Sequence, residues 1–138
     1  MRVVLATNLL VSALIFPSGP TDRLYVAWKE QRYALVTSRE QIEEFRRITR
    51  YPRVKKLIDA SAAGTMYNQL SALSTVLADL PTVDRSADPG DNFLLAMVEA
   101  GEADYLVSGD RAGVLVLGQH GRTQILTARS MLKILGIE

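Results

Sequence analysis

The chain contains no cysteine, and histidine and tryptophan occur once each, as His120 and Trp28. The missing cysteine removes disulfides, thiolate catalysis and zinc–thiolate sites together, and it fits a reducing, cytoplasmic setting. A single histidine excludes a metal site built on imidazoles. An excess of one charge sign is missing too. Sixteen Lys and Arg stand against 15 Asp and Glu, a formal net charge of +1, so any polyanionic partner has to be argued from where the charges lie. Nor is there a long apolar run: Met1 to Leu14 is apolar but too short for a membrane span and contains Asn8. It reads as a buried strand running into a helix, neither anchor nor signal peptide. There is no repeat and no low-complexity tract. What remains is an ordinary globular composition, 48% hydrophobic and 22% charged over 138 residues, the length of a single domain spanning 1–138.

The stretch from Asp88 to Asp110 organises the rest. Asp88 can cap a helix, Pro89 suits its first turn, and Asp91 lies beside the positive end of the helix dipole. Phe93, Leu94, Met97 and Val98 then share a face, and Gly101 reads as the stop. The apolar run Ala103 to Val107 is a strand ending at Ser108-Gly109-Asp110. Upstream, Arg2 to Leu5 has the continuous apolar character of a strand covered on both faces, and helical spacing begins in Leu9 to Ile15. Pro17-Ser18-Gly19-Pro20 breaks the chain, with Thr21 as cap of a helix to about Glu30. Tyr33 to Thr37 is a second strand, and Ser38-Arg39-Glu40-Gln41 has the spacing of a capping box opening a helix to about Arg50. A helical piece starts at Pro52, and Ala60 to Leu77 reads as one helix. Pro81 to Val83 is extended, Val114 to Leu117 a helical turn, Gly118 and Gly121 mark a turn, and Gln124 to Leu126 is a last strand. Thr127 caps a closing helix to about Leu135. Strands alternating with helices predict a three-layer α/β/α sandwich on a mostly parallel sheet with right-handed crossovers.

Such sheets bind ligands beyond the carboxyl ends of their strands, which is where Asp110 falls, with Asp91 facing it across the crevice. On the helix after Ser38 the apolar stripe is Ile42, Phe45, Ile48 and Thr49. Glu44 lies about 40° from Ile48 at 100° per residue, so it is the acid of this helix best placed to reach inward. Gathered carboxylates raise one another's pKa, and a hard divalent cation offsets their repulsion. Taken singly, Asp91 as a helix-start charge and Glu44 as a solvated side chain are the plainer readings. A basic strip follows: Arg46, Arg47, Arg50, Arg53, Lys55 and Lys56 are six cations in eleven residues, with Tyr51 among them. It can neutralise phosphates, although a solvated helix face is as good an account. Arg39 and Arg111 lie near the acids in sequence and are candidate phosphate contacts, together with Arg46 and Arg50. Trp28 is a core or interface residue, and His120 sits in a Gly-flanked turn. A Rossmann-like nucleotide binder lacks support, because no glycine-rich loop follows the first strand.

Val3-Val4-Leu5 with Thr7-Asn8, then Leu35 to Ser38 opening a helix with Glu44, then Asp88-Pro89-Gly90-Asp91-Asn92-Phe93, and finally Ala103 to Asp110 together resemble PIN domains over about residues 1–135. The nearest resemblance is to VapC-type toxins of bacterial toxin–antitoxin pairs. The resemblance implies a metal-dependent endoribonuclease acting on single-stranded RNA. Glu44, Asp91 and Asp110 would be the catalytic acids around Mg²⁺ or Mn²⁺. Thr7, Asn8, Ser38 and Asp88 would be polar supports. It further implies a homodimer, for which Leu70 or Leu73 could serve, a cognate antitoxin, and no membrane. Two positions depart from the family pattern: Ala6 stands where an aspartate is central, and Gly113 near where another is frequent. Two explanations follow, an active site silenced by substitution or a degenerate one that works by binding RNA or a protein. Both lead to the expectation of weak or no metal occupancy.

Overall fold

In the computed structural model, which describes residues 1–137, a six-stranded sheet in the order β3-β2-β1-β4-β6-β5 forms the middle layer. The chain runs β1 (Arg2–Leu5), α1 (Thr7–Ile15), α2 (Pro20–Lys29), β2 (Ala34–Ser38), α3 (Arg39–Thr49), α4 (Pro52–Lys55), α5 (Ala60–Leu73) and β3 (Thr75–Leu77). It continues with a 3₁₀ turn (Pro89–Asp91), α6 (Asn92–Ala100), β4 (Tyr105–Val107), a 3₁₀ turn (Val114–Leu117), β5 (Gln119–His120), β6 (Thr123–Leu126) and α7 (Ala128–Leu135). All neighbouring pairs are parallel except β5 with β6. This is the predicted α/β sandwich. Alternation along the strands divides two cores: Val3, Leu5, Leu35 and Val107 pack under α1, α2, α3, α5 and α7. Val4, Val36, Leu106 and Ile125 point the other way, under α6 and the turn carrying Val114. Central strands lined with Val, Ile and Leu on both faces therefore leave the rim at the strands' carboxyl ends for polar residues.

Several local readings need correction. The cap of α2 is Gly19, with Pro20 in the first turn, and not Thr21. The helix expected to reach Leu77 stops at Leu73. Thr75 to Leu77 instead adds an edge strand to β2, with Val76 packed against one core and Leu77 against the other. Gln119–His120 pairs with Thr123–Gln124 across a hairpin where only a turn was expected, helped by Gly118 and Gly121 at φ of 67° and 57°. Asp88 does cap, its Oδ1 accepting from the Gly90 amide at 2.9 Å, but the first turn it opens is 3₁₀ and α6 proper begins at Asn92. Ser38 forms half a capping box: its Oγ accepts from the Gln41 amide, while the Gln41 side chain turns inward. Gly101 ends α6 as expected and has a second reason to be glycine, since a Cβ there would lie 2.6 Å from Val36 Cγ1. Leu70 is fully buried and cannot form a dimer surface, whereas Leu73 is 64% exposed. Trp28 belongs to the core.

Candidate active site

The carboxyl ends of β1 and β4 and the 3₁₀ turn before α6 open onto one cleft of about 490 Å³. It is lined by Ala6, Thr7, Asn8 and Ser12 from β1 and α1, Glu44 from α3, Gly90 and Asp91 from the turn, and Ser108 to Asp110 after β4. Two elements far apart in sequence deliver the acids. Asp110 is fixed by its own loop: its amide donates to Ser108 Oγ, and its Oδ1 accepts from the amides of Ala112 and Gly113 at 3.2 and 3.1 Å. Asp91 is carried by the turn that Asp88 caps. Asn92 Oδ1 anchors that turn by accepting from the amides of Arg85 and Ser86.

Carboxylate oxygens of Asp88, Asp91 and Asp110 lie within 4.8 Å of one another. Asp91 Oδ2 is buried with no hydrogen-bond donor. Its polar neighbour is another acid, so an Asp91–Asp110 hydrogen bond exists only when one of them holds a proton. Burial first, then the neighbouring Asp110 and Asp88, push the Asp91 carboxyl up to about 6, against a smaller opposite pull from the Val114 amide. Gly113 lies directly beneath: a Cβ built on it would be 2.1 Å from Asp91 Oδ2 and 2.4 Å from Asp110 Oδ2. An acid at this position does not fit the present loop. The two carboxylates close over bare backbone.

An orphaned carboxylate oxygen, two acids meeting over a missing side chain and a third within reach form a donor set that suits a hard divalent cation, which accepts carboxylate and water oxygens. Ala6 is buried at the mouth of this set. Its amide donates to the Val107 carbonyl at 2.9 Å, and it is the cap residue of α1 but offers no side-chain acceptor, so α1 opens uncapped onto the cleft.

The sequence-based residues divide clearly. Asp91 and Asp110 meet as expected. Asp88, expected only to support, joins them, and Glu44, expected among them, lines the same cleft half-buried but lies outside the three-acid group. Asn8 is exposed at the cleft wall. Thr7 is buried and takes a hydrogen bond from Gln41 Nε2 at 3.3 Å. Ser38 does not line the cleft; it caps α3 and donates to Met97 Sδ. The residue that the sequence did not flag is Gln41. Fully buried, it donates to the Leu5 carbonyl at 2.7 Å and accepts from Thr37 Oγ1 at 2.6 Å, tying β1, β2 and α3 together behind the acids. Its spacing from Ser38 was the available signal, read as a cap alone.

Of the cations, Arg39 and Arg47 line a groove that shares Glu44, Gly90 and Phe93 with the cleft. Arg111 and Arg129 line another on the opposite flank that shares Leu9, Ser12, Ser108 and Gly109. Arg46 and Arg50 do not approach the acids; they face α5 across a separate cavity. Among the described residues the only ion pair of a lysine or arginine is Arg122–Asp104, but Arg39 and Arg47 share their groove with Glu40, Glu43 and Glu44. His120 lies far from the acids' chemistry, held between Arg85 and Glu99. Among the described residues no helix is long and apolar enough to cross a membrane.

The profile of the PIN domain family matches residues 2–112, which include β1 to β4 and all three clustered acids. No curated protein and no solved structure matches the chain.

Proposed function

The chain belongs to the PIN domain family, a family of nucleases, and from that premise we propose a metal-dependent endoribonuclease acting on single-stranded RNA, impaired by the alanine at position 6. The observation that carries the reading is the meeting of Asp88, Asp91 and Asp110 within 4.8 Å at the sheet rim, with an unpartnered oxygen on Asp91. Asp88, Asp91 and Asp110 would hold Mg²⁺ or Mn²⁺, and Glu44 lines the same cleft. The cation would supply an activated water and stabilise negative charge at phosphorus. The chain's own residues do the rest. Arg39 and Arg111, on opposite flanks, neutralise the phosphates on either side of the cut and hold the strand over the acids. Asp91, whose carboxyl is pushed up to about 6 by burial and by the neighbouring acids, is the group whose ionisation a bound cation would relieve most. Gln41 and the Asp110 loop keep the two walls in register, so the acids need not reorganise when RNA binds. In the cell we assign it as the toxin of a toxin–antitoxin pair, cytoplasmic, restrained by an antitoxin protein and dimerising through apolar surface such as Leu73.

A second reading is favoured by two particular positions. Ala6 removes one carboxylate, and Gly113 leaves no room for another, so the chain could bind RNA or a protein without cutting. The separating experiment is cleavage of a labelled single-stranded RNA with Mn²⁺ by this chain and by Ala6→Asp. Cleavage restored by Ala6→Asp supports the nuclease, whereas none in either protein, with RNA still bound, supports the binder.

A further inference from the structure

The cavity between α3 and α5 is separate from the acid cleft and used by nothing in the scheme above. It has a volume of about 400 Å³ and is lined by Arg46 and Thr49 of α3, Arg50 at its C-cap, Lys55 of α4 and Tyr67 of α5, over a floor including Ala63 and Gly64. Three cations enter its lining and no acid does. None is in an ion pair among the described residues, so a chain with a net charge of only +1 concentrates three uncompensated charges in one small cavity. Such focusing draws anions. The wall is also aromatic. Tyr67 is half-buried, and the Arg46 guanidinium lies over its ring, 5.8 Å from the centroid, near the outer limit of a cation–π contact. The floor supplies an independent observation. Gly64 sits inside a 14-residue helix, where glycine is about 1 kcal/mol worse than alanine, yet a Cβ at this position would meet nothing within 4 Å. No packing in the chain requires that glycine.

Cations beside an aromatic plane, over an open floor, match a phosphate attached to a flat ring. Resting on the reading that the chain handles RNA, we propose that this cavity is a second nucleotide subsite, in which a base of the strand stacks on Tyr67 while Arg46, Arg50 and Lys55 hold its phosphates. Glu44 faces the acid cleft and Arg50 this cavity, six residues or about 9 Å apart along α3. Arg47, in the groove beside the cleft, lies between them. A strand leaving the acids over Arg39 and Arg47, whose groove also holds Glu40 and Glu43, crosses α3 into the acid-free subsite, so the cavity reads a nucleotide some way from the cut and favours substrates long enough to reach it.

The test is fluorescence anisotropy of a labelled single-stranded 12-mer RNA and of a 4-mer, in EDTA so that neither metal nor cleavage contributes, with polyglutamate as competitor. Tyr67→Leu should weaken the 12-mer roughly tenfold to a hundredfold, the range for losing one stacked base, and Tyr67→Phe should restore it. Gly64→Leu, which fills the floor while improving the helix, should melt no lower than the parent yet bind the 12-mer as weakly as Tyr67→Leu. The 4-mer should respond to neither. The subsite is overturned, with the RNA reading intact, if the 12-mer binds, Arg39→Gln weakens it, and the Tyr67 and Gly64 variants bind normally. It is also overturned if polyglutamate displaces the 12-mer as well as RNA does, which marks a general anion surface or an acidic protein partner. If the parent chain binds no RNA at all, the reading under it fails as well.

Discussion

Replacing Asp91 by asparagine tests whether the acids are held together at a cost. The folded carboxyl is raised from its ordinary 3.8 to about 6, which corresponds to about 3 kcal/mol for ionising it in the folded chain relative to the unfolded one. Asp91 is partly exposed, and solvent screening reduces that to about 1–2 kcal/mol. The sign follows from proton counts. Between about pH 4 and pH 6 the folded chain keeps a proton that the unfolded chain has lost, so stability falls as pH rises through that window and is level above it. Asparagine keeps the shape, can accept from the Val114 amide and can donate to Asp110, and it has no such slope. Thermal melting followed by circular dichroism in EDTA should therefore show Asp91→Asn melting about 3–6 °C above the parent at pH 7 and level with it at pH 4. Adding Mn²⁺ at pH 7 should raise the parent more than the variant. A variant that melts lower at pH 7, or a gap that is the same at both pH values, would show that ionising Asp91 in its buried place beside the other acids carries no cost and would refute the reasoning.

Gly113→Ala drives a methyl between Asp91 Oδ2 and Asp110 Oδ2. Because the ends of short side chains can part, melting should drop by no more than a few degrees, while Mn²⁺ affinity, read by calorimetry in an Ala6→Asp background, should fall about tenfold or more. Gln41→Leu leaves the Leu5 carbonyl and Thr37 hydroxyl buried without their partner and should cost about 2–4 kcal/mol in urea unfolding with the slope unchanged. Ser38→Ala removes the α3 cap and the weak bond to Met97 Sδ and should cost about 1 kcal/mol, and cleavage by the Ala6→Asp protein should survive it, since Ser38 does not line the cleft.

The outline of this fold and half of its site were legible in the order of residues, for identifiable reasons. Val3-Val4-Leu5 and Tyr105-Leu106-Val107 are unbroken apolar runs, which marks covered central strands, and Asp110 lies just beyond the second. Asp-Pro at 88–89 announces a helix start, which brings Asp91 to the same rim. What was not legible depends on contacts distant in the chain. Leu70, Leu73 and Leu77 keep helical spacing, so the break at Ser74 and the strand that follows emerge only when β2 is present to pair. Asp88 looks like a cap because it is one. That the short 3₁₀ turn also turns it toward Asp110 is a matter of tertiary geometry. Gln41 has the sequence spacing of a cap partner, and only the buried carbonyl of Leu5 explains where its amide goes. The basic strip reads as one patch along the chain, but successive residues of a helix diverge by 100°, which sends Arg47 to the acid side and Arg46 to α5.

The central claim is that Asp88, Asp91 and Asp110 form one divalent-cation site lacking a carboxylate at position 6. Electron paramagnetic resonance of free Mn²⁺ at pH 7.5 measures that directly. The account predicts weak binding by the present chain, one tight Mn²⁺ per chain in Ala6→Asp, and loss of it when Asp110→Asn is added. An Ala6→Asp protein that is folded and binds no Mn²⁺, or binds it equally with Asp110→Asn, would contradict it.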